Sequence, residues 1–232
     1  MTMPDTPTPR DALLNAALVH VAFDGWTDAT FVAAARDADI DLAVARSFCP
    51  GGALDLAHNF HRAGDNEMAV HWAAADTDGL KVREKITLAV KLRLQSAADK
   101  EAVRRGTTLF ALPHNAAQGA KLIWGTADAI WGLLGDTSED VNWYTKRATL
   151  AGVYASTVLF WLGDDSLDQQ ATWDFLDRRI DNVMQVEKAK AQVRGNKALS
   201  ALLAGPSWLA GQIKRPTELP RSDLPGSISG QK

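Results

Sequence analysis

Cysteine is almost missing. Cys49 is the only one in 232 residues, so no internal disulfide can form and a reducing compartment is the natural setting. No apolar run reaches the roughly 18–20 residues that a membrane span requires. A dominant charge is missing too: the formal net charge is -3, so nothing global points to nucleic acid. No stretch of five or more residues alternates apolar and polar side chains, which leaves no strand to assign. There is no phosphate-cradling Gly-x-x-x-x-Gly-Lys loop, no Gly-x-Gly-x-x-Gly turn and no Gly-x-Ser-x-Gly elbow, so the common nucleotide and hydrolase signatures are excluded. What is present is 46% apolar and 23% charged, the balance of a globular chain with a sizeable core.

The first ten residues, MTMPDTPTPR, carry three prolines and read as a disordered leader. They lack the apolar core of a signal peptide and the arginine-rich character of a transit peptide. The expected location is therefore a bacterial cytoplasm, peripheral on the inner membrane. From Asp11 the apolar residues recur every three or four positions, starting with Leu13, Leu14, Ala17, Leu18 and Val21, which is one face of a helix. Helices are expected over 11–24, 28–37, 41–47, 53–62, 80–96, 99–112, 119–134, 140–162 and 168–194. Gly25, Pro50-Gly51-Gly52, Pro113, Gly135 and Gly163 supply the breaks. The fold class is all-α. The expected organisation is a leader over 1–10, a helix-turn-helix-like trihelix over 11–63, a ligand-binding and dimerisation bundle over 64–195, an interfacial helix over 196–215 and a disordered tail over 216–232.

Three short helices followed by a long bundle form the layout of TetR-type regulators, in which residues 41–48 would be the recognition helix. Charge opposes that use. Residues 1–70 hold four basic side chains, Arg10, Arg36, Arg46 and Arg62, against ten acidic ones. Such a surface repels duplex phosphates rather than neutralising them, so no nucleic-acid partner is expected. A TetR-type transcription factor sensing a hydrophobic ligand is the alternative function, and a plain structural homodimer is a third.

Residues 112–184 carry a more specific pattern. It comprises Leu112-Pro113-His114-Asn115, Asp128-x-x-Trp131, and the run from Gly135 through Asn142-Trp143-Tyr144-Thr145-Lys146-Arg147. Leu150, Tyr154, Asp165-Ser166 and Thr172-Trp173-x-Phe175-Leu176-x-x-Arg179 follow. This pattern resembles the ubiquinone (coenzyme Q) biosynthesis accessory proteins, which have a TetR-like fold without acting as repressors. The Phe48-Cys49-Pro50-Gly51-Gly52 stretch resembles bacterial members, and the likeness extends over about residues 11–215. The resemblance implies an isoprenoid or phospholipid bound in the helical bundle, no catalytic residue and no other cofactor. It also implies a peripheral place on a membrane surface and support of the di-iron demethoxyubiquinone hydroxylase, to which lipid intermediates would be presented.

The residues can be read beside that role. Trp143 and Arg147 are four apart on one helix face, with Asn142 and Tyr144 beside them and Ile130 on the preceding helix. Trp, Tyr and Arg are the types enriched at interface anchors, and in the resembled family this region contacts the hydroxylase. The competing reading makes Trp143 core and pairs Arg147 with Asp140. For the lipid, apolar stripes offer Ile86, Val90 and Leu94, then Ile123 and Ala127, then Leu150, Val153, Tyr154 and Thr157. Such stripes can enclose a cavity between helices or simply fill the core. From Lys188 to Arg215 there are six basic residues and no acidic one. Within that stretch Lys197, Leu199, Leu202, Leu203, Trp208, Leu209, Ile213, Lys214 and Arg215 suit a bilayer interface, or a final helix docked on the bundle or on a second subunit. Dimerisation is expected under every reading, because TetR-like bundles commonly pair through their last helices.

Catalytic and metal chemistry find little. Asp55, His58 and His61 recur at intervals of three without an evident fourth ligand, and no metal is expected. His114 lacks an obvious nucleophile to activate. Cys49 has only Arg46 near it in sequence and reads as inert packing. Asp164-Asp165-x-x-Asp168 lacks the glycine and glutamate of a calcium loop and reads as a helix cap.

Overall fold

The computed structural model describes residues 8–97 and 99–195, and side chains as far as Gln185. Among these the chain is helical throughout. Pro9–Asp24 (α1), Asp28–Asp37 (α2) and Leu42–Phe48 (α3) form the trihelix. Ala53–Ala74 (α4), Val82–Gln95 (α5), Lys100–Ala111 (α6), Ala116–Leu133 (α7), Val141–Leu162 (α8) and Gln170–Gly195 (α9) follow, with a short 3-10 turn at Leu167–Gln169 before α9.

Local chemistry sets the ends. Thr8 and Asp11 cap each other at the start of α1, with Pro9 in the first turn. Thr27 accepts from the Thr30 amide at 3.2 Å. Asp41 accepts from Ala43 and Val44 at 2.8 and 3.3 Å. Caps of this kind contribute about 1 kcal/mol each. They also spend the Asp41 carboxylate on α3's own amides. Gly25 ends α1 at a φ of 68°, in the left-handed region that a residue without Cβ enters freely.

The sequence places most helices within a few residues of where they lie. α4 is the exception, running twelve residues past the expected end at Arg62. Gly64 lies two residues beyond that expected end. In the structure it lies inside the helix because the Arg93 guanidinium occupies the space its side chain would fill: a Cβ there would sit 2.6 Å from Arg93 Nη1. α4 thereby joins two cores. Leu56 and Ala57 belong to the first, with Leu13, Ala17, Val21 and Phe31. Met68 belongs to the second, with Val90, Ile130, Leu150, Trp161 and Leu176.

The seam between these cores is polar. The Arg93 side chain, 4% exposed, donates to Asp65 at 2.6 Å and to the His61 carbonyl at 2.9 Å. Thr126 donates to Asp65 at 2.8 Å and lies 2.8 Å from His61 Nε2. Above it, Trp26 donates to the Ala102 carbonyl at 3.1 Å, tying the trihelix to α6. α7, α8 and α9 then pack side by side against α4 and α5, and their distal ends frame the candidate site.

Candidate functional site

The distal end of the bundle contains a groove of about 260 Å³ between α5, α7, α8 and α9. Helical periodicity builds its α8 wall. Asn142, Thr145, Lys146, Thr149, Leu150 and Val153 fall on one stripe of α8. α5 adds Val82, Arg83 and Ile86, α7 adds Trp131, and α9 adds Ile180, Val183 and Met184. Leu150, Val153 and Ile180 are buried, whereas Val82 and Met184 are exposed, so the groove has an apolar floor and opens at the surface. Both rim cations are already paired: Arg83 with Asp181 and Lys146 with Asp136.

The neighbouring face of α8 carries an aromatic cluster. The Trp143 and Tyr144 rings meet edge to face at 4.8 Å, and Trp124 of α7 lies 5.9 Å from Trp143. All three are half-buried. Arg147 stacks 4.1 Å over the Trp143 ring, an arrangement that attracts a guanidinium to the ring's negative face. Its side chain is only 5% exposed and donates to Asp128 at 2.5 Å and to Asp136 at 3.0 Å.

Asp136 organises the loop between α7 and α8. It accepts from Lys146 at 2.8 Å and Ser138 at 2.8 Å as well as from Arg147. Burial alone would push this carboxyl up, but those hydrogen bonds outweigh it and hold it well below the usual carboxylate range. It therefore stays charged and fixes both α8 cations in place.

The residues singled out in the sequence separate into several places. Ile86, Leu150 and Val153 line the groove. Val90, Ala127 and Thr157 are fully buried and take no part in lining it, because their stripe faces neighbouring helices rather than a gap. Leu94 and Tyr154 instead border a second cavity of about 180 Å³ at the seam. Ile123 packs half-buried against the second core. Ile130 is 0% exposed, which removes it from any surface patch: its place on α7 points it between helices. Arg147 pairs with Asp128 and Asp136 and not with Asp140, whose carboxylate caps α8 by accepting from the Asn142 amide at 2.9 Å. Asn142 is exposed at the groove rim. The proposed membrane residues from Lys197 to Arg215 lie outside the described residues.

Sequence reasoning missed Arg83, Lys146, Thr149, Trp131 and the α9 wall, and it missed Asp136 as the shared acceptor. Asp128, Trp131 and Asp136 stood in the family-like pattern without a role. Their purpose depends on which helices meet, and no spacing along the chain records that.

Other chemistry is sparse. Among the described residues no group of three or more His, Cys, Asp or Glu is placed to hold a metal. Asp55 is engaged by the Gly51 amide at 2.7 Å. Cys49 is buried, and burial pushes its thiol up, away from the reactive thiolate. Asp164 accepts from the Ser166 amide and from the Thr172 amide and hydroxyl, locking the turn into α9. Among the described residues no helix is long and apolar enough to cross a membrane.

Similarity to known proteins follows the same ground. The COQ9 family model matches residues 116–187, which hold the aromatic face and most of the groove. Over 216 residues the chain is 31% identical to the ubiquinone biosynthesis protein COQ9, mitochondrial, of Rattus norvegicus, covering 89% of this chain and 68% of that one. The Homo sapiens protein of the same name is 29% identical over 216 residues, with 89% and 67% covered. Both are named as mitochondrial, which corrects the bacterial cytoplasmic, inner-membrane location expected above: that expectation rested on the composition of ten residues. A TetR transcriptional regulator from Nitrosomonas europaea ATCC 19718 superposes with a TM-score of 0.62 at 19% identity, over 74% of this chain and 95% of that chain. The fold is thus TetR-like, and at that identity the likeness concerns fold alone.

Proposed function

We propose, from the premise that this chain belongs to the COQ9 family of ubiquinone biosynthesis proteins, that it is a non-catalytic carrier of an isoprenoid or quinone lipid. In this reading it holds the lipid in the distal groove and presents it at a membrane surface to the di-iron demethoxyubiquinone hydroxylase. The groove carries the proposal: an apolar floor of Leu150, Val153 and Ile180 beneath a polar rim of Asn142, Thr145 and Lys146 suits a greasy chain with an oxygen-bearing head. About 260 Å³ accommodates a ring and the first isoprene units, and the remainder of a tail would leave past exposed Val82 and Met184. Trp143 and Tyr144 are the anchors offered to the hydroxylase, with Arg147 acting from behind as their support. Homodimerisation and contact with the membrane through residues 196–215 complete the proposal.

DNA reading by the trihelix has less support. Of the four basic residues in the first seventy, Arg46 is paired with Asp28 and Arg36 with Asp37, and among the described residues no cluster of free cations is left there to neutralise phosphates.

Native mass spectrometry of the purified protein tests the carrier role. The protein is expected to carry or take up an isoprenoid, and Thr149→Trp, which fills the groove from its half-buried wall, should release it while leaving the melting curve in place. Equal uptake by both proteins, or none by the parent, would refute the groove. Trp143→Lys should abolish co-purification with the hydroxylase without changing lipid uptake.

A further inference from the structure

Two surfaces share about two turns of α8. Asn142, Thr145, Lys146 and Thr149 face the groove, while Trp143, Tyr144 and Arg147 form the adjacent aromatic face. Consecutive residues, Lys146 and Arg147, therefore belong to different surfaces, yet both end on the same buried carboxylate. Lys146 Nζ is 2.8 Å from Asp136 Oδ1, and Arg147 Nη1 is 3.0 Å from Asp136 Oδ2. Lys146 also donates to Ser138 at 2.7 Å and lies 5.2 Å over the Trp131 ring in the groove wall. Arg147 divides itself between Asp136, Asp128 and the face of Trp143.

We infer that Asp136 couples the two surfaces, so that a ligand head accepting a hydrogen bond from Lys146 in the groove repositions the Trp143 ring through Asp136 and Arg147. This rests on the carrier reading proposed above and adds a regulatory link to it.

The physical basis is competition for one anion. With the groove empty, two cations share Asp136, whose side chain is 4% exposed. Water cannot readily replace a lost partner there, and charges interact strongly because screening is weak. An acceptor oxygen at the rim draws the Lys146 ammonium toward it. Asp136 then has Arg147 as its main counter-charge and pulls the guanidinium from its balance with Asp128. Because that guanidinium stacks on Trp143, the aromatic face responds. The two states differ in one named contact, as coupling between sites requires. Asp128, about half exposed where it meets Arg147, is the partner that can be given up to solvent. Lys146, Asp136 and Arg147 are thus positioning residues for the aromatic face. The consequence is a carrier whose docking surface differs between its empty and loaded forms.

The test uses the full chain with fluorine-labelled tryptophan, the Trp143 resonance being assigned from Trp143→Phe, and ubiquinone-2 as the probe. Trp143 does not line the groove, so direct contact with the probe is not expected to move its signal. The Trp143 resonance should shift on titration and saturate with the same midpoint as uptake followed by native mass spectrometry. In Asp136→Asn, at a position outside the groove lining, the probe should still bind, but the Trp143 resonance should no longer respond to it. A bound probe with an unmoved Trp143 resonance in the parent, or an undiminished shift in Asp136→Asn, would overturn the coupling and leave the carrier reading standing. Failure of ubiquinone-2 to bind the parent at all would remove the carrier reading and the coupling together.

Discussion

Arg147 and Arg93 are guanidiniums withdrawn from water, and each is tolerable only because carboxylates meet it. Removing one partner from such a pair leaves an uncompensated charge, which costs about 3–5 kcal/mol. Arg147→Met should fall at the lower end, about 3 kcal/mol, because Lys146 still faces Asp136; urea unfolding of the variant measures it. His61 is the second sensitive residue. Burial, with Arg93 nearby, drives its imidazole down from the ordinary 6.5 to about 4. A histidine kept neutral in the fold but protonated in the unfolded chain contributes stability above pH 6.5 that is lost as pH falls toward 4. Each pH unit within that window costs about 1.4 kcal/mol. His61→Gln, which retains a donor for Thr126, should flatten the decline in urea midpoint between pH 6.5 and 4; an unchanged slope would show that other groups carry it.

At the scale of helices, the breakers were legible because their chemistry is local. Thr27 and Asp41 cap the next turn from positions fixed by sequence, and α8 starts within one residue of where the apolar period begins. α4 was not legible past Arg62, because Gly64 acts through a helix nearly thirty residues away. The expected outcome for Gly64→Ala follows: its methyl group would meet Arg93 Nη1 at 2.6 Å, displacing the guanidinium at a cost of about 2 kcal/mol. A double-mutant cycle isolates the effect. In an Arg93→Met background the same alanine should cost little, and an equal cost in both backgrounds would place the penalty in the α4 backbone instead. The α8 face was half legible. Spacing put Trp143 beside Arg147, but only the packing of α7 revealed that Asp128 and Asp136 hold that arginine. Ile130 looked like a companion because one face of α7 is apolar along its length, and period alone cannot say which apolar residue is covered.

For the molecule as a whole, the family-like run in residues 112–184 was the signal that periodicity could not supply. Stripes of Val90, Leu94, Ala127 and Thr157 look the same on a helical wheel whether they line a cavity or close it. The difference arises where α9 stands off from α8, leaving Ile180, Val183 and Met184 opposite Leu150 and Val153. The TetR-like fold therefore serves here as a frame: an acidic trihelix at one end, a polar seam around Arg93, and a groove with its aromatic neighbour at the other. Photolabelling with a short isoprenoid quinone bearing a diazirine addresses the groove most directly. Peptide mapping should find the label on Ile86, Leu150, Val153 or Ile180, and unlabelled ubiquinone-2 should suppress it. Label spread over the outer helix faces without suppression, or concentrated at the seam between α4 and α5, would contradict the account.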